Sequence, residues 1–403
     1  MYDVIVIGGG PVGSYVAYKL AGMGHRVAVV EQHAQPGEQV CCTGIISQEC
    51  ATSLVVDEST ILRQANSARL FSPSGKLLRL WREEVQACII DRAAFNRILA
   101  SRAQDKGVEY LLNSLAKGIE VGSSSATIEV AYQGRELNLE GRVAVIATGF
   151  SSRLSERVGL GKVSDFAIGA QVEVEVSEVD EVEIYLGQGI APGFFAWLVP
   201  TSSHRALVGL LARHNPGVYL KKLLSSLSSQ GKIALTEAKP SYGGVPLKPL
   251  PRTYRGRLIV VGDAAGQVKP TTGGGIYYGL LCAEMAASTL HQALESNDLS
   301  IQAMADYERR WRGKLGRELE IGYYTRKFYE HLNDWQIDKI FDIMISNGID
   351  EALLKARDLS FDWHSKALLR LMGNVTASTA LKAMKIPFYH PRHAIYEPSD
   401  INR

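Results

Sequence analysis

Residues 1–31 read MYDVIVIGGGPVGSYVAYKLAGMGHRVAVVE. Residues 2–7 are rich in β-branched side chains and run into glycine, which predicts a buried strand meeting a tight turn. GGGPVG follows at 8–13, and the apolar spacing over 14–23 predicts a helix. HRVAVVE then predicts a second strand ending at Glu31. Strand, glycine turn, helix, strand is the order of a dinucleotide-binding βαβ unit. Gly8, Gly10 and Gly13 fit G-x-G-x-x-G. The first permits the turn, the second lets backbone approach a pyrophosphate, and the third lets helix pack on strand. Pro11 and Val12 open the helix, whose free N–H groups face the anion. Glu31 stands where a ribose hydroxyl acceptor is expected, with Gln32 beside it. The plain alternative for Glu31 is a solvated strand end.

A second element, RLIVVGDAAGQVKPTTGGGI at 257–276, chooses the cofactor. A buried strand runs into Gly262 and Asp263, then into a glycine-rich turn and a helix. A carboxylate at that strand end suits the ribityl hydroxyls of FAD. Gly273, Gly274 and Gly275 let backbone lie against a flavin ring. The helix beginning at Ile276 aims its positive end there, which stabilises negative charge on the reduced ring by about 1 kcal/mol.

Between the two motifs the chain changes character. Residues 34–60 are irregular and hold EQVCCTGIIS. A helix is expected near DRAAFNRILASRA, and the strand RVAVIATG ends at Gly149. From about 165 to 250 the apolar period is two, as in IGAQVEVEVSEV and HRALVGLLA, which predicts an antiparallel sheet. The last hundred residues look helical, with Trp311, Leu315 and Leu319 as a core-facing stripe. The fold class is therefore α/β, a split Rossmann-like FAD-binding domain with an inserted antiparallel β-sheet substrate domain and a C-terminal helical region. The expected boundaries are 1–80, 90–165 and 250–295 for the FAD-binding domain, 80–90 and 165–250 for the sheet domain, and 296–403 for the helices.

Bulk composition narrows the class. The chain of 403 residues has 46 % hydrophobic and 21 % charged residues, which fits a globular protein and excludes a disordered one. A net charge of +2 gives no pull toward nucleic acid. The first residues lack a basic segment and no run of about 18 apolar residues occurs, so neither a signal peptide nor a membrane span is expected. The five cysteines, Cys41, Cys42, Cys50, Cys88 and Cys282, have no paired metal-ligand spacing and suggest a reducing cytoplasm. HPRH at 390–393 reads as surface and ERRWRGK at 308–314 as a solvated helix face, so no metal site is expected.

GGGPVG with Glu31, DRAAFN at 91–96, ATGFSSRL at 147–154 and the second glycine motif resemble the FAD-dependent aromatic-hydroxylase-type superfamily. The resemblance covers most of residues 1–295. It implies that Arg92 lies near FAD and that the segment around Gly149 contacts FAD and NAD(P)H. The aspartate usual in that segment is Thr148 here, and Asn96 replaces another.

Within that superfamily, PGFFAWLVP at 192–200 is similar to the P-x-x-Y-x-W-x-F-P signature of geranylgeranyl reductases. Pro192, Trp197 and Pro200 match; Phe195 replaces tyrosine and Val199 replaces phenylalanine. VCCTGIIS at 40–47 resembles the same family's cysteine loop, with Cys42, Thr43 and Gly44 in the cofactor-facing positions. The resemblance implies an isoprenoid C=C reductase. Phe195, Trp197 and Val199 share one face of an extended strand and would wall an isoprenoid tunnel with Pro192. Burying an isoprenoid chain gains about 0.8 kcal/mol per CH₂, as much as a bilayer offers, so the wall must be equally apolar. Protonation of an isolated double bond develops positive charge that the Trp197 indole can stabilise by roughly 1–2 kcal/mol. Cys42, Phe195 and Trp197 are the catalytic candidates, though Cys41 and Cys42 also fit as small buried hydrophobes.

The expected substrate is a geranylgeranyl chain on a diphosphate, an ether lipid, a quinone or a pigment, met by peripheral membrane contact. NAD(P)H and ferredoxin are both open as reductants, ferredoxin then being a protein partner. Three rivals compete. They are an oxygen-using flavin monooxygenase or halogenase, an electron-transferring quinone oxidoreductase, against which stands the lack of any cysteine after Cys282 for an iron–sulfur cluster, and a non-catalytic flavin-binding lipid carrier.

Overall fold

The protein, seen in a computed structural model, is described over residues 1–346 apart from 39, 55, 152 and 235–236, and over 361–365. The HPRH stretch and most of the helical region expected after 346 lie outside the described residues.

The first strand, Tyr2–Ile7, is apolar on both faces because both are covered. Val4 and Val6 face helices Pro11–Gly22 and Ile276–Glu295. Ile5 and Ile7 face the opposite layer around Ile128, Leu154 and Leu250. The strand pairs in parallel with Val27–Val30 on one side and Arg135–Ile146 on the other. Arg135–Ile146 pairs in turn with Leu258–Val260, so the strand carrying the second glycine motif joins the sheet begun at residue 2. Glu109–Leu111 closes the parallel edge, and Ser114–Val121 with Ala126–Tyr132 adds an antiparallel ribbon.

The second sheet has seven strands, in the order Ser241–Pro246, Phe166–Glu175, Arg205–Ala212, Phe195–Pro200, Val182–Leu186, Ser67–Phe71 and Leu77–Trp81. Its alternation sorts residues as expected. Ala170, Val172, Ala196 and Leu198 pack under helix Pro216–Ser229. Ala167, Trp197, Val199 and Leu211 form the opposite face with Ile89 and Leu247.

Two expected boundaries are corrected. Ser67–Phe71 and Leu77–Trp81 belong to the second sheet, not to the FAD-binding domain. Ser67–Phe71 pairs in parallel with Val182–Leu186, so the sheet is mixed. Glu181 holds this edge by pairing with Arg69 and Arg79, and that partner is far along the chain, which hides the assignment from local reading. Residues 80–90 divide as well, since Ala87–Ile90 forms a small separate sheet with Ile45–Ser47 and Ile61–Ala65.

Helix Ile301–Glu330 is not a separate layer. Trp311, Leu315 and Leu319 are buried in the core of the first sheet, as the stripe predicts. The Trp311 indole N–H donates to Thr253 Oγ1 at 2.9 Å. Arg309 and Arg310 pair with Asp306 on the same helix, but Arg312 donates to the Leu250 and Pro251 carbonyls and its partner Glu308 accepts from Thr253, so the ERRWRGK stretch is not the solvated face expected of it.

Candidate active site

At the end of the first strand, Gly8 has φ +109°, and a Cβ there would lie 2.4 Å from the Ala147 carbonyl oxygen. A Cβ on Gly13 would lie 2.0 Å from Gly8 O, so helix and turn touch only because both residues are glycine. Gly10 differs, since no protein atom lies within 4 Å of the place its Cβ would take. Pro11 occupies the first helical turn and no side chain caps the helix. Its N–H groups are thus left for an anion. Glu31 is buried beneath the turn. It accepts from the Gly9 N–H at 2.7 Å with one oxygen and from the His33 N–H at 2.9 Å with the other. A carboxylate has about four acceptor sites, so a ribose hydroxyl is still accommodated. Gln32 is exposed beside His33.

The second motif docks directly on the first. Val12 packs where side chains on Gly262 and Gly279 would be, at 3.1 and 2.6 Å. Gly275 sits so close to Asp263 that its Cβ would meet Oδ1 at 2.6 Å. Burial raises the Asp263 carboxyl to about 6, and the charge of Arg92 opposes that rise. Arg92 donates to Asn96 Oδ1 at 2.9 Å, while its buried Nε has no hydrogen-bond partner among the described residues. Thr148 Oγ1, beside Gly8, is likewise buried and unpartnered among the described residues. Open space above Gly10, two orphaned polar atoms and a glycine cradle next to a carboxylate together fit FAD. Gly149 has φ +67° and an open outer side. Helix Ile276–Glu295 starts at the cradle with no side-chain cap.

Gly273 connects this cradle to the aromatic strand, because its Cβ would meet Val245 at 3.2 Å and Leu211 at 3.4 Å. Those residues share a cluster with Trp197, Val199 and half-buried Phe195. Pro192 lies in the turn before that strand, half-buried. The Phe195 and Trp197 rings stand 6.0 Å apart, tilted by 56°. Trp197 is 8 % exposed and Val199 fully buried.

The cysteine loop packs on the strand Ser241–Pro246, where a Cβ on Gly243 would meet Cys41 at 3.2 Å. Gly44 has φ +72°, and its Cβ would overlap Ile90 O at 2.3 Å. Its N–H points to Cys42 Sγ at 3.5 Å, and Thr43 Oγ1 accepts from Ile45 N–H at 3.5 Å. Cys41 is half-buried and donates to Ser241 O at 3.6 Å, and burial raises its thiol.

Several residues here escape sequence reading. Arg326, on the long helix, is nearly buried and donates to three carbonyls, Pro270, Thr271 and Gly193. It thereby ties the loop before the Gly273–Gly275 turn to PGFF. Burial lowers its guanidinium to about 10, and Phe194, Tyr329 and Phe195 ring it at 4.9, 5.4 and 5.9 Å. Part of the Phe195 π-face is therefore used by Arg326. Lys269 is buried and pairs with Asp362 at 2.6 Å. His364 approaches Thr271 Oγ1 at 2.7 Å, so residues 361–365 also brace the loop. No local motif announces these contacts, because each joins segments distant in sequence.

The family described as lycopene cyclase protein has a model that matches residues 3–333. The digeranylgeranylglycerophospholipid reductase of Methanocaldococcus jannaschii is 31 % identical over 363 residues, which are 87 % of this chain and 93 % of the relative. Digeranylgeranylglycerophospholipid reductase 2 of Methanothermobacter thermautotrophicus is 31 % identical over 355 residues, covering 84 % and 90 %. Among solved structures, a geranylgeranyl bacteriochlorophyll reductase-like protein from Thermoplasma acidophilum is similar with a TM-score of 0.83 at 24 % identity, covering 95 % of this chain and 98 % of that one. A flavin-dependent brominase matches with a TM-score of 0.69 at 14 % identity, covering 95 % and 99 %. At those identities the likeness establishes the fold alone.

Proposed function

The chain belongs to the digeranylgeranylglycerophospholipid reductase family, and from that premise we propose that it saturates the isolated double bonds of geranylgeranyl chains carried on a glycerophospholipid. The observation that carries the substrate reading is the meeting of an FAD-type cradle at Gly273 with the Val245, Leu211 and Trp197 cluster, which the cysteine loop joins through Gln171 and Ser241. Bound FAD would supply a two-electron, hydride-donating carrier. Gly10 and the helix N-terminus at Pro11 would hold its pyrophosphate, Glu31 its ribose and Asp263 with Arg92 its ribityl region. Trp197 and Val199 would exclude water and hold the chain by apolar contact. The Trp197 indole would face positive charge developing on the substrate carbon. Cys42 would stand at the flavin side of the loop, close to the reacting bond.

A lipid substrate implies peripheral membrane contact in the cytoplasm. Among the described residues no helix is long and apolar enough to cross a membrane. NAD(P)H docking transiently and ferredoxin are the two candidate electron sources. The halogenase rival rests on fold alone, whereas the cyclase family match favours a specific second reading, cyclisation of a polyene without net reduction.

One experiment separates these. The purified FAD-loaded protein is reduced chemically without oxygen and given vesicles containing an unsaturated geranylgeranyl glycerophospholipid. Flavin reoxidation with two hydrogens gained per saturated bond supports the reductase. A product of unchanged mass supports the cyclase, and binding without reoxidation or product supports the lipid carrier. Replacing the chemical reductant by NADPH, NADH or reduced ferredoxin identifies the donor, and flotation of the protein with the vesicles tests membrane contact.

A further inference from the structure

Gln171 is a buried polar side chain on the apolar face that carries Trp197 and Val199. It lies in the strand Phe166–Glu175, opposite Gly209 on one side and Ser241 on the other. Trp197 is opposite Gly209 on the next strand, so Trp197, Gly209, Gln171 and Ser241 form one row across four strands. Gly209 makes the row work. A Cβ there would lie 2.6 Å from Trp197 Cζ2, so the indole lies flat over the glycine and reaches past it.

At the end of that reach, the Trp197 indole N–H donates to Gln171 Oε1 at 3.2 Å. The other end of the same amide donates from Nε2 to Cys42 O at 3.2 Å. Chemistry fixes the amide's orientation, because an indole N–H only donates and a carbonyl only accepts. The main chain of Gln171 is engaged as well, its carbonyl accepting from Ser241 Oγ at 3.2 Å. The Ser241 carbonyl accepts in turn from Cys41. Both cysteines are thus tied to this one position, Cys42 directly and Cys41 through Ser241.

We infer that Gln171 is a positioning residue that fixes the Trp197 ring plane and the Cys42 main chain together, so that the substrate wall and the cysteine loop hold one geometry. An apolar side chain of similar volume would fill the same space, but it would leave an indole N–H and a carbonyl without partners. The amide therefore matters through its two opposed ends. The relevance to turnover rests on the function proposed above, whereas the two hydrogen bonds do not.

The test uses the FAD-loaded full chain with Gln171→Met and Gln171→Glu. Three quantities are read: the indole N–H resonance of Trp197, assigned by its loss in Trp197→Phe; the alkylation rate of Cys42, located by mass spectrometry; and kcat against KM for the lipid. In Gln171→Met both bonds go. The resonance should move, alkylation should quicken about tenfold, and kcat should fall about tenfold with KM little changed, the size of one lost hydrogen bond. In Gln171→Glu the carboxylate still accepts from the indole but repels Cys42 O. The resonance should stay near its native position while alkylation quickens as in Gln171→Met. Native resonance and native alkylation in Gln171→Met overturn the proposal, as does an unchanged kcat when both have moved. If no isoprenoid is reduced by any form, the function reading fails while the first two readouts still decide the role of Gln171. The unmutated holoenzyme gives a further check. Its Trp197 indole proton should exchange with solvent far more slowly than those of exposed Trp81 and Trp335, and exchange at their rate overturns the proposal.

Discussion

Replacing Asp263 by asparagine should stabilise the protein without cofactor and weaken the protein's hold on FAD. Burial raises the Asp263 carboxyl to about 6, against an ordinary aspartate near 3.8, with Arg92 pulling the other way. The folded chain therefore binds this proton more tightly than the unfolded chain. Stability falls as pH rises from about 4 to about 6, and above that window the full penalty is present. The difference amounts to about 3 kcal/mol at neutral pH. Asparagine has the same shape and no charge, so it should recover up to about 3 kcal/mol in apoprotein at pH 8 and almost nothing near pH 4. FAD reverses the balance. In the proposed site the carboxylate would accept from ribityl hydroxyls, and a hydrogen bond to a charged group contributes about 1.5–3 kcal/mol. The variant should bind FAD about ten- to a hundredfold more weakly. Native affinity should itself decline as pH drops below about 6, because the proton must leave before the carboxylate can accept. Urea unfolding of apoprotein at the two pH values, with FAD titration by fluorescence, measures both effects. An asparagine variant with equal stability gain at both pH values, or with native FAD affinity, would refute the argument.

Other substitutions have equally definite outcomes. Gly10→Val should keep its fold by circular dichroism yet lose the yellow cofactor, since its side chain meets only space suited to FAD, whereas Gly13→Ala should disturb the fold through its contact with Gly8 O. Trp197→Ala should lose substrate binding and turnover, with a cost of about 3–5 kcal/mol for the truncated wall, while Trp197→Phe binds and turns over slowly in anaerobic single-turnover reoxidation. Lys269→Met removes the ammonium facing buried Asp362 and should cost about 3–5 kcal/mol in urea unfolding. Adding Asp362→Leu to it should recover most of that loss.

The parts of the fold that sequence reveals are those written in local period and glycine spacing. GGGPVG and the strand before it lie where the βαβ pattern puts them. The face shared by Trp197 and Val199 follows from the pitch of a strand. Local reading places Ser67–Phe71 in the wrong sheet because its partner, Val182–Leu186, lies far along the chain and parallel pairing leaves no turn to read. Arg326 reads as one more arginine on a charged helix, and its burial arises only when Pro270, Thr271 and Gly193 converge on it. Gln171 is similarly silent. Its partners Trp197 and Cys42 are both distant in sequence, so no local pattern marks it.

The split parallel sheet also has a consequence for synthesis. Arg135–Ile146 is complete long before Leu258–Val260, the strand that covers its open side. At ribosomal speeds of about 5–20 residues per second, that edge waits on the order of ten seconds for its partner. An uncovered, strongly apolar edge over that interval invites pairing with another nascent chain. If Asp263 and Gly273–Gly275 hold the cofactor as proposed, its capture cannot shorten the wait, because they emerge later still. The yield of folded protein in a cell should therefore depend on translation rate and chaperone supply across residues 147–276, and free flavin should rescue only chains already synthesised past residue 276.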